Sequence, residues 1–207
     1  MADLCYQSYN TCPARTEGII NMTKSICVFC GASMGNDPAY GQAAVDLGHM
    51  IAKNAWRLVY GAGDVGLMGK VAEGAQTSGA KTFGVIPEHL MQHEVGKRDL
   101  DQFIVTDDMH SRKKLMFVNS DAVVLLPGGA GSMDEFFEVL TWAQLKLHNR
   151  PIIVANIAGY WQPMLNLIDH IIRSGFAEPS MRDMFSVAYT VDEVERILRS
   201  ALNTATV

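Results

Sequence analysis

The stretch at residues 127–135 is the part of this sequence best suited to chemistry on a ligand. An apolar run, residues 123–126, ends abruptly, and residues 127–132 then read Pro-Gly-Gly-Ala-Gly-Ser before a helical pattern begins. Glycine adopts backbone angles closed to other residues and lets main-chain N–H groups approach a ligand closely. The N-terminus of the following helix adds free N–H groups and partial positive charge. The stretch therefore predicts a phosphate-binding turn, with Ser132 as the helix cap and a hydroxyl donor.

Glu135 lies one turn into this predicted helix, close to anything bound at the turn. A carboxylate weakens the binding of a nearby phosphate, so its presence indicates chemistry on a neighbouring part of the ligand. The turn is not a Walker loop, because no Gly-Lys-Ser/Thr follows, and it lacks the Gly-x-Gly-x-x-Gly spacing. The alternative is a tight strand-to-helix turn without a ligand.

Three consecutive cations, Arg112, Lys113 and Lys114, lie near the N-terminus of another predicted helix, which Asp107 or Asp108 caps. Cations at this end of a helix oppose its dipole, and residues that break a local rule often serve function. Arginine grips phosphate or carboxylate through two parallel hydrogen bonds. Arg112 is therefore predicted to bind an anion. A solvated cationic face is the alternative, and it is the better interpretation for Lys114.

A second glycine-rich turn, residues 61–66, matches the Gly-x-Gly-x-x-Gly spacing of dinucleotide-binding proteins. That pattern also requires an acidic residue at the end of the next strand. Here the next predicted strand, residues 82–86, is followed by Pro87 and only then by Glu88. A nicotinamide cofactor is therefore not expected, and no other cofactor is predicted. These glycines either hold a ligand or pack a helix against the sheet.

Composition excludes several classes of function. The chain has 207 residues, 48% hydrophobic and 19% charged, as expected of one soluble domain. A net charge of −5 argues against a protein that binds the nucleic-acid backbone. No run approaches the ~20 apolar residues needed to cross a bilayer, and residues 1–21 lack the apolar core of a secretory signal. We predict a cytoplasmic protein without a nucleic-acid or membrane partner.

Cys27 and Cys30 form a C-x-x-C pair, but they lie in an apolar strand, where residues three apart point to opposite faces. No second pair supplies further metal ligands. We therefore expect buried thiols, and no metal site is predicted.

Short apolar strands alternate with helical segments from residue 24 onwards. The predicted strands are residues 25–30, 57–60, 82–86, 103–105, 123–126, 151–156 and 185–189. This alternation predicts an α/β fold, a doubly wound parallel sheet with helices on both faces. Residues 24–207 form the predicted domain, and residues 1–23 a flexible extension. The helix predicted over residues 132–147 is apolar over more than one stripe, so it packs against a partner subunit or is buried within the monomer.

Six motifs together resemble the LOG ("lonely guy") family of cytokinin riboside 5′-monophosphate phosphoribohydrolases, long mislabelled as lysine decarboxylases. The resemblance covers residues 24–202, and the Arg-Lys pair with the Pro-Gly-Gly-x-Gly-Thr-x-x-Glu motif is the family's signature. The motifs are Val28-Phe29-Cys30-Gly31-Ala32-Ser33, Leu58-Val59-Tyr60-Gly61, Gly66-Leu67-Met68-Gly69, Gly84-Val85-Ile86-Pro87, Met109-His110-Ser111-Arg112-Lys113, and Pro127 to Glu135.

The resemblance implies a single-domain Rossmann-like fold and a set of site residues. Arg112 and Glu135 match the family's catalytic residues. The implied substrate-binding residues are Gly31, Ser33, Glu94, Lys113, Gly128, Gly129, Ala130, Gly131, Ser132, Met133, Asp134 and Thr141. The resemblance also implies a homodimer whose active sites borrow residues across the subunit interface.

The sequence departs from the family pattern at three positions. Ser132 replaces a threonine but keeps the hydroxyl, Ala62 replaces a glycine, and Asp64 adds a negative charge to the second glycine turn.

The hypothesis is hydrolysis of the N-glycosidic bond of a cytokinin riboside 5′-monophosphate or AMP, giving free base and ribose 5-phosphate. Cleavage develops positive charge on the ribose, which Glu135 could stabilise, or Glu135 could activate water. Arg112 would bind substrate oxygens or help the base depart. The alternative is a nucleotide-sensing protein without turnover. Lysine decarboxylation is disfavoured, because no lysine has a recognisable pyridoxal-binding context.

Overall fold

Seven strands form one parallel sheet in the computed structural model, which describes residues 23–91 and 99–204. The strands are β1 (Ser25–Phe29), β2 (Arg57–Tyr60), β3 (Lys81–Pro87), β4 (Gln102–Thr106), β5 (Ala122–Leu125), β6 (Ile152–Ala155) and β7 (Ser186–Ala188). The α-helices are α1 (Pro38–Lys53), α2 (Gly66–Thr77), α3 (Met109–Val118), α4 (Ala130–Gln144), α5 (Gln162–Arg173) and α6 (Val191–Thr204). Short 3₁₀ turns span Glu88–Leu90, Ile157–Gly159 and Pro179–Met184.

The strand order, β4-β3-β2-β1-β5-β6-β7, confirms the predicted doubly wound sheet. The chain begins in the middle, moves outward from β1 to β4, and then crosses back to place β5 beside β1. Loops that leave β1 and β5 therefore diverge to opposite sides of the sheet and leave a crevice between them, where α/β folds of this type bind ligands. The topology places Cys30–Ser33 and Pro127–Ser132 at the same point.

Both faces of the sheet are covered, which explains why the strands are apolar without alternation. On β1, Ile26 and Val28 pack toward α1, α2 and α6. Cys27 and Phe29 pack toward α3, α4 and α5 on the other face. The helices on both faces are thus as predicted. Cys27 and Cys30 belong to opposite clusters and are both free, buried thiols.

Side-chain caps fix where several helices begin. The Asp37 carboxylate accepts a hydrogen bond from the Ala39 N–H at 2.8 Å, with Pro38 at the first helical position. Of the two aspartates considered for α3, Asp108 is the cap, and it accepts from the Ser111 N–H at 2.8 Å. The pKa of Asp108 lies below its ordinary value because of its hydrogen bonds to Ser111.

The bounds of α4 differ from the prediction of residues 132–147. The helix begins at Ala130 with Gly129 as its N-cap, and no side chain within the described residues caps it. The prediction of Ser132 as the cap was therefore wrong: its side chain folds back against Gly128, where an added Cβ would overlap it. The helix ends at Gln144 because Lys146 adopts a left-handed conformation (φ 60°).

Residues 1–22, 92–98 and 205–207 are not described, so the extension over residues 1–23 stays a prediction, and Glu94 has no structural placement. None of the helices in the described ranges combines the length and apolar character needed to cross a membrane.

We predict that Gly48→Ala destabilises the fold, because α1 and α2 cross there with backbone in contact. A Cβ on Gly48 would overlap the Val71 carbonyl oxygen, and a Cβ on Gly74 would overlap the Val45 carbonyl oxygen. Overpacking of this kind costs about 1–3 kcal/mol, measured as a lower free energy of unfolding in denaturant.

Gly41→Ala on the same helix is the matched control. Its Cβ would meet only the flexible end of Met34, and alanine favours a helix over glycine by up to about 1 kcal/mol. Equal stability of the two variants would contradict the predicted backbone contact.

Candidate active site

A cavity of about 510 Å³ opens where the order of the strands reverses. This volume suits a small-molecule ligand. Loops after β1, β5 and β6 and the helices α1 to α4 all contribute to its lining. The lining residues are Cys30 to Gly35, Tyr40, Leu67, Met68, Leu90, Met109, Arg112, Pro127 to Gly129, Gly131, Ser132, Glu135 and Tyr160. The cavity therefore brings together both predicted catalytic side chains and most of the glycine turn.

The turn at residues 127–132 is held by the loop that follows β1. The Gly31 N–H donates to the Pro127 carbonyl at 3.0 Å, so the β1–β5 pairing continues beyond the strands. A Cβ on Gly31 would come within 3.2 Å of the Gly128 Cα, and a Cβ on Gly128 would overlap Ser132. The first N–H groups of α4 have no carbonyl partner within the helix. They are left at a cavity wall, where an anion would bind favourably.

Arg112 is a buried cation with only 5% of its surface exposed. Its Nη2 donates to the Gly61 carbonyl at 3.0 Å, and its Nε donates to the Val85 carbonyl at 3.2 Å. A Cβ on Gly61 would overlap the guanidinium, so the second glycine turn makes room for this arginine. A solvated helix face is therefore the wrong interpretation for Arg112, although it is right for Lys114, which is exposed.

Glu135 lines the same cavity from α4 and is 8% exposed. The charges of Glu135 and Arg112 both affect the pKa of the Cys30 thiol, which lies just beyond the end of β1. Burial and, after it, the charge of Glu135 raise the pKa of Cys30, whereas the charge of Arg112 lowers it. The net shift is upward, so this thiol stays protonated. A carboxylate and a guanidinium, distant in sequence, thus both lie close enough to the end of β1 to affect the pKa of Cys30.

Lys113 does not line the cavity. Its ammonium group lies 2.8 Å from Asp134 and 3.2 Å from Glu138, and its side chain is 7% exposed. Burial works against its charge, but hydrogen bonds to the two carboxylates outweigh burial and raise the pKa of Lys113. Because Lys113 follows Arg112 on α3 and Asp134 precedes Glu135 on α4, this ion pair ties together the helices that carry the two cavity side chains.

The predicted binding residues therefore fall into three groups. Gly31, Ser33, Gly128, Gly129, Gly131 and Ser132 line the cavity. Lys113, Ala130, Met133, Asp134 and Thr141 do not line it in the single chain. Thr141 is exposed, and its hydroxyl donates to the Phe137 carbonyl at 2.7 Å. Glu94 lies outside the described residues.

Several lining residues were not predicted from the sequence. Met34, Tyr40, Leu90 and Tyr160 form an apolar and aromatic wall, with the Tyr40 and Tyr160 rings edge to face at 5.3 Å. A signal was available for Tyr160, because it follows a strand whose carboxyl end lies at the ligand-binding edge. Predicting Tyr160 from this signal would have required knowing that β6 lies beside β5 in the sheet.

The fold and this cavity define a Rossmann-like α/β protein with a cavity at the carboxyl ends of its strands, where folds of this class bind small ligands. The sequence profile of the family described as "Possible lysine decarboxylase" matches residues 68–198. A cytokinin riboside 5′-monophosphate phosphoribohydrolase from Rhodococcoides fascians is 43% identical over 178 residues, which are 86% of this chain and 90% of the relative. The enzyme LOG3 of Arabidopsis thaliana, with the same name, is 40% identical over 175 residues, 84% and 81% of the two chains.

This chain belongs to the LOG family, as its motifs indicated. Among solved structures, the molybdenum cofactor binding protein of Rippkaea orientalis is similar, with a TM-score of 0.67 and 22% identity over 87% of this chain and 98% of that one. This similarity shows a shared fold.

We predict that Lys113→Met lowers the free energy of unfolding by about 1–2 kcal/mol near neutral pH, less than for a fully buried pair because Asp134 is solvent-screened. Since the folded state raises the pKa of Lys113, its contribution is complete below the ordinary value of 10.5 and declines as the pH rises through the higher folded pKa. The difference between wild type and variant, measured by denaturant unfolding, should therefore shrink above pH 10.5.

Lys114→Met, which removes the exposed neighbouring cation, is the control and should leave stability nearly unchanged. A Lys113→Met variant as stable as this control would show that the ion pair does not hold α3 against α4.

Proposed function

We propose that this protein hydrolyses the N-glycosidic bond of nucleoside 5′-monophosphates, either cytokinin riboside 5′-monophosphates or AMP, and releases the free base and ribose 5-phosphate. The observation that carries the proposal is the convergence of Arg112 and Glu135 with the glycine turn on one cavity. The names of the relatives, all phosphoribohydrolases, support the same reaction.

In the proposed mechanism the 5′-phosphate binds the N–H groups at the start of α4, which fixes the ribose beside Glu135. The bond between C1′ and the base nitrogen breaks, its electron pair leaves with the base, and a water oxygen bonds to C1′. Glu135 either stabilises the positive charge that develops on the ribose or takes a proton from that water. Both roles require a carboxylate next to the sugar.

Arg112 acts through charge and hydrogen bonds, because a guanidinium does not lose its proton in proteins. Its Nε and one Nη2 hydrogen are already used on the Val85 and Gly61 carbonyls. These contacts, with a weaker one from Nη1 to the Met109 sulfur at 3.7 Å, fix the side chain. The N–H hydrogens that are not used on the two carbonyls bind substrate oxygens or the departing base. The proton that the base gains must come from another group or from water.

The apolar wall formed by Met34, Tyr40, Leu90 and Tyr160 is suited to a planar base. The same wall would accept an alkyl substituent on that base, so adenine and a prenylated adenine both remain candidates.

Lysine decarboxylation, which the description of the family profile names, does not fit the cavity. Pyridoxal chemistry requires a lysine that forms a Schiff base, and none of the described residues that line the cavity is a lysine. Lys113, the nearest in sequence to Arg112, is held charged by two carboxylates outside it.

We also propose a homodimer. Leu145 and Leu147, at and beyond the end of α4, are 63% and 70% exposed, and Val118 at the end of α3 is 52% exposed. A second subunit would cover this apolar surface, and the exposed Thr141 on α4 would then face the partner. The cytoplasmic location stays a prediction.

Glu135→Gln and Arg112→Ala should each lower the rate of base release about a hundredfold or more, since each removes a charge that acts on the reacting sugar or base. Free base and ribose 5-phosphate are measured by chromatography with AMP, its isopentenyl derivative, the corresponding di- and triphosphates, and unphosphorylated nucleosides. Lys114→Ala, on the exposed face of α3, is the control and should keep the wild-type rate.

Unchanged base release in both variants would refute the assignment of these residues. Tight binding of AMP in calorimetry, with no base released by the wild type from any member of the panel, would instead support the nucleotide sensor.

A further inference from the structure

Tyr160 contacts the glycine turn through its hydroxyl group. The hydroxyl donates to the Gly128 carbonyl at an oxygen–oxygen distance of 2.5 Å, the short end of the range for such bonds. In a trans peptide the carbonyl and the following N–H point in opposite directions. A donor that holds the Gly128 carbonyl therefore also fixes the direction of the Gly129 N–H, away from Tyr160.

This peptide lies between two glycines, so the chain itself does little to fix it. Glycine populates both signs of φ with similar ease, and a Cβ placed on Gly129 would meet nothing within 4 Å. Gly129 is also the N-cap of α4, and no side chain within the described residues caps it. The orientation of this peptide thus depends on contacts from outside the turn.

The loop after β6 brings Tyr160 to this position. The loop passes through two consecutive left-handed residues, Ala158 (φ 49°) and Gly159 (φ 74°). An alanine in this conformation is strained and persists only where its surroundings determine it. The determining residue is Asn156, which is 1% exposed: its side chain accepts from the Trp161 N–H at 2.7 Å, and its own N–H donates to the Ala188 carbonyl at 2.7 Å.

The ring of Tyr160 is held independently of its hydroxyl. It packs edge to face against Tyr40 at 5.3 Å and against Trp161 at 4.8 Å. Phenylalanine at this position would keep the ring contacts and lose only the bond to the turn.

We propose that Tyr160 is a positioning residue that fixes the Gly128–Gly129 peptide so that the turn presents its N–H groups to the ligand's phosphate. The inference rests on the proposed function, in which this turn binds the 5′-phosphate. Tyr160 acts through the turn and takes no part in bond cleavage.

The test is Tyr160→Phe in the full chain. Calorimetry should show that affinity for ribose 5-phosphate and for AMP falls about 3–10-fold, the loss expected for one hydrogen bond. Affinity for adenosine, which has no phosphate, should be unchanged. In turnover, KM for the nucleotide should rise by a similar factor with little change in kcat, since the phosphate contact is equally strong in the ground state and the transition state.

Tyr189→Phe is the matched control, since Tyr189 is 57% exposed and lies outside the cavity. It should bind and turn over like the wild type. The thermal midpoints of both variants are measured to show that they fold.

Equal losses for AMP and adenosine would overturn the proposal, because they would make Tyr160 only a wall for the base. Unchanged affinity for ribose 5-phosphate would also overturn it. If the wild type releases no base but ribose 5-phosphate binding still weakens in Tyr160→Phe, the proposed reaction fails and the positioning role stands. A wild type that does not bind ribose 5-phosphate would refute the turn as a phosphate site and this role with it.

Discussion

The parallel pairing of β1 with β5 is the constraint on which the rest of this structure depends. It brings together two strands that are about a hundred residues apart and makes the order of the sheet reverse between them. The hydrogen bond from the Gly31 N–H to the Pro127 carbonyl carries the pairing into the loops. The start of α4 is therefore held against the loop after β1, and the cavity exists because the chain leaves these two strands in opposite directions.

Much of this architecture could be predicted from the sequence because the strands are buried on both faces and read as continuous apolar runs. All seven predicted strands are present, and Asp37 and Asp108 cap helices as their types indicate. The bounds of α4 were not predictable by the same rules. The sequence has no glycine where the helix ends, and Lys146 supplies the left-handed residue instead. The helix begins at Ala130 without a side-chain cap among the described residues, because Ser132 packs against Gly128.

Some residues of the candidate site could likewise be predicted from the sequence, and others could not. The glycine turn, Arg112 and Glu135 are visible in the sequence because each conflicts with a local expectation: too many glycines, a cation at the wrong helix end, a carboxylate beside an anion site. Tyr40 and Tyr160 conflict with nothing, and only the order of the strands brings them to the cavity. Local sequence patterns therefore reveal residues that are energetically unfavourable at their positions. Residues whose role comes from their neighbours in space can be identified only from the tertiary structure.

Arg112 and Lys113 are adjacent cations on α3 with different roles. Lys113 is paired with two carboxylates, which neutralise it and fix α3 to α4. The hydrogen bonds of Arg112 to described residues go to two carbonyls and a thioether, all of them neutral. Carbonyl dipoles stabilise a buried guanidinium without cancelling its charge, so Arg112 stays complementary to electron-rich groups of a ligand. A rotation of about 100° between successive helical residues is enough to separate the structural cation from the one that faces the cavity.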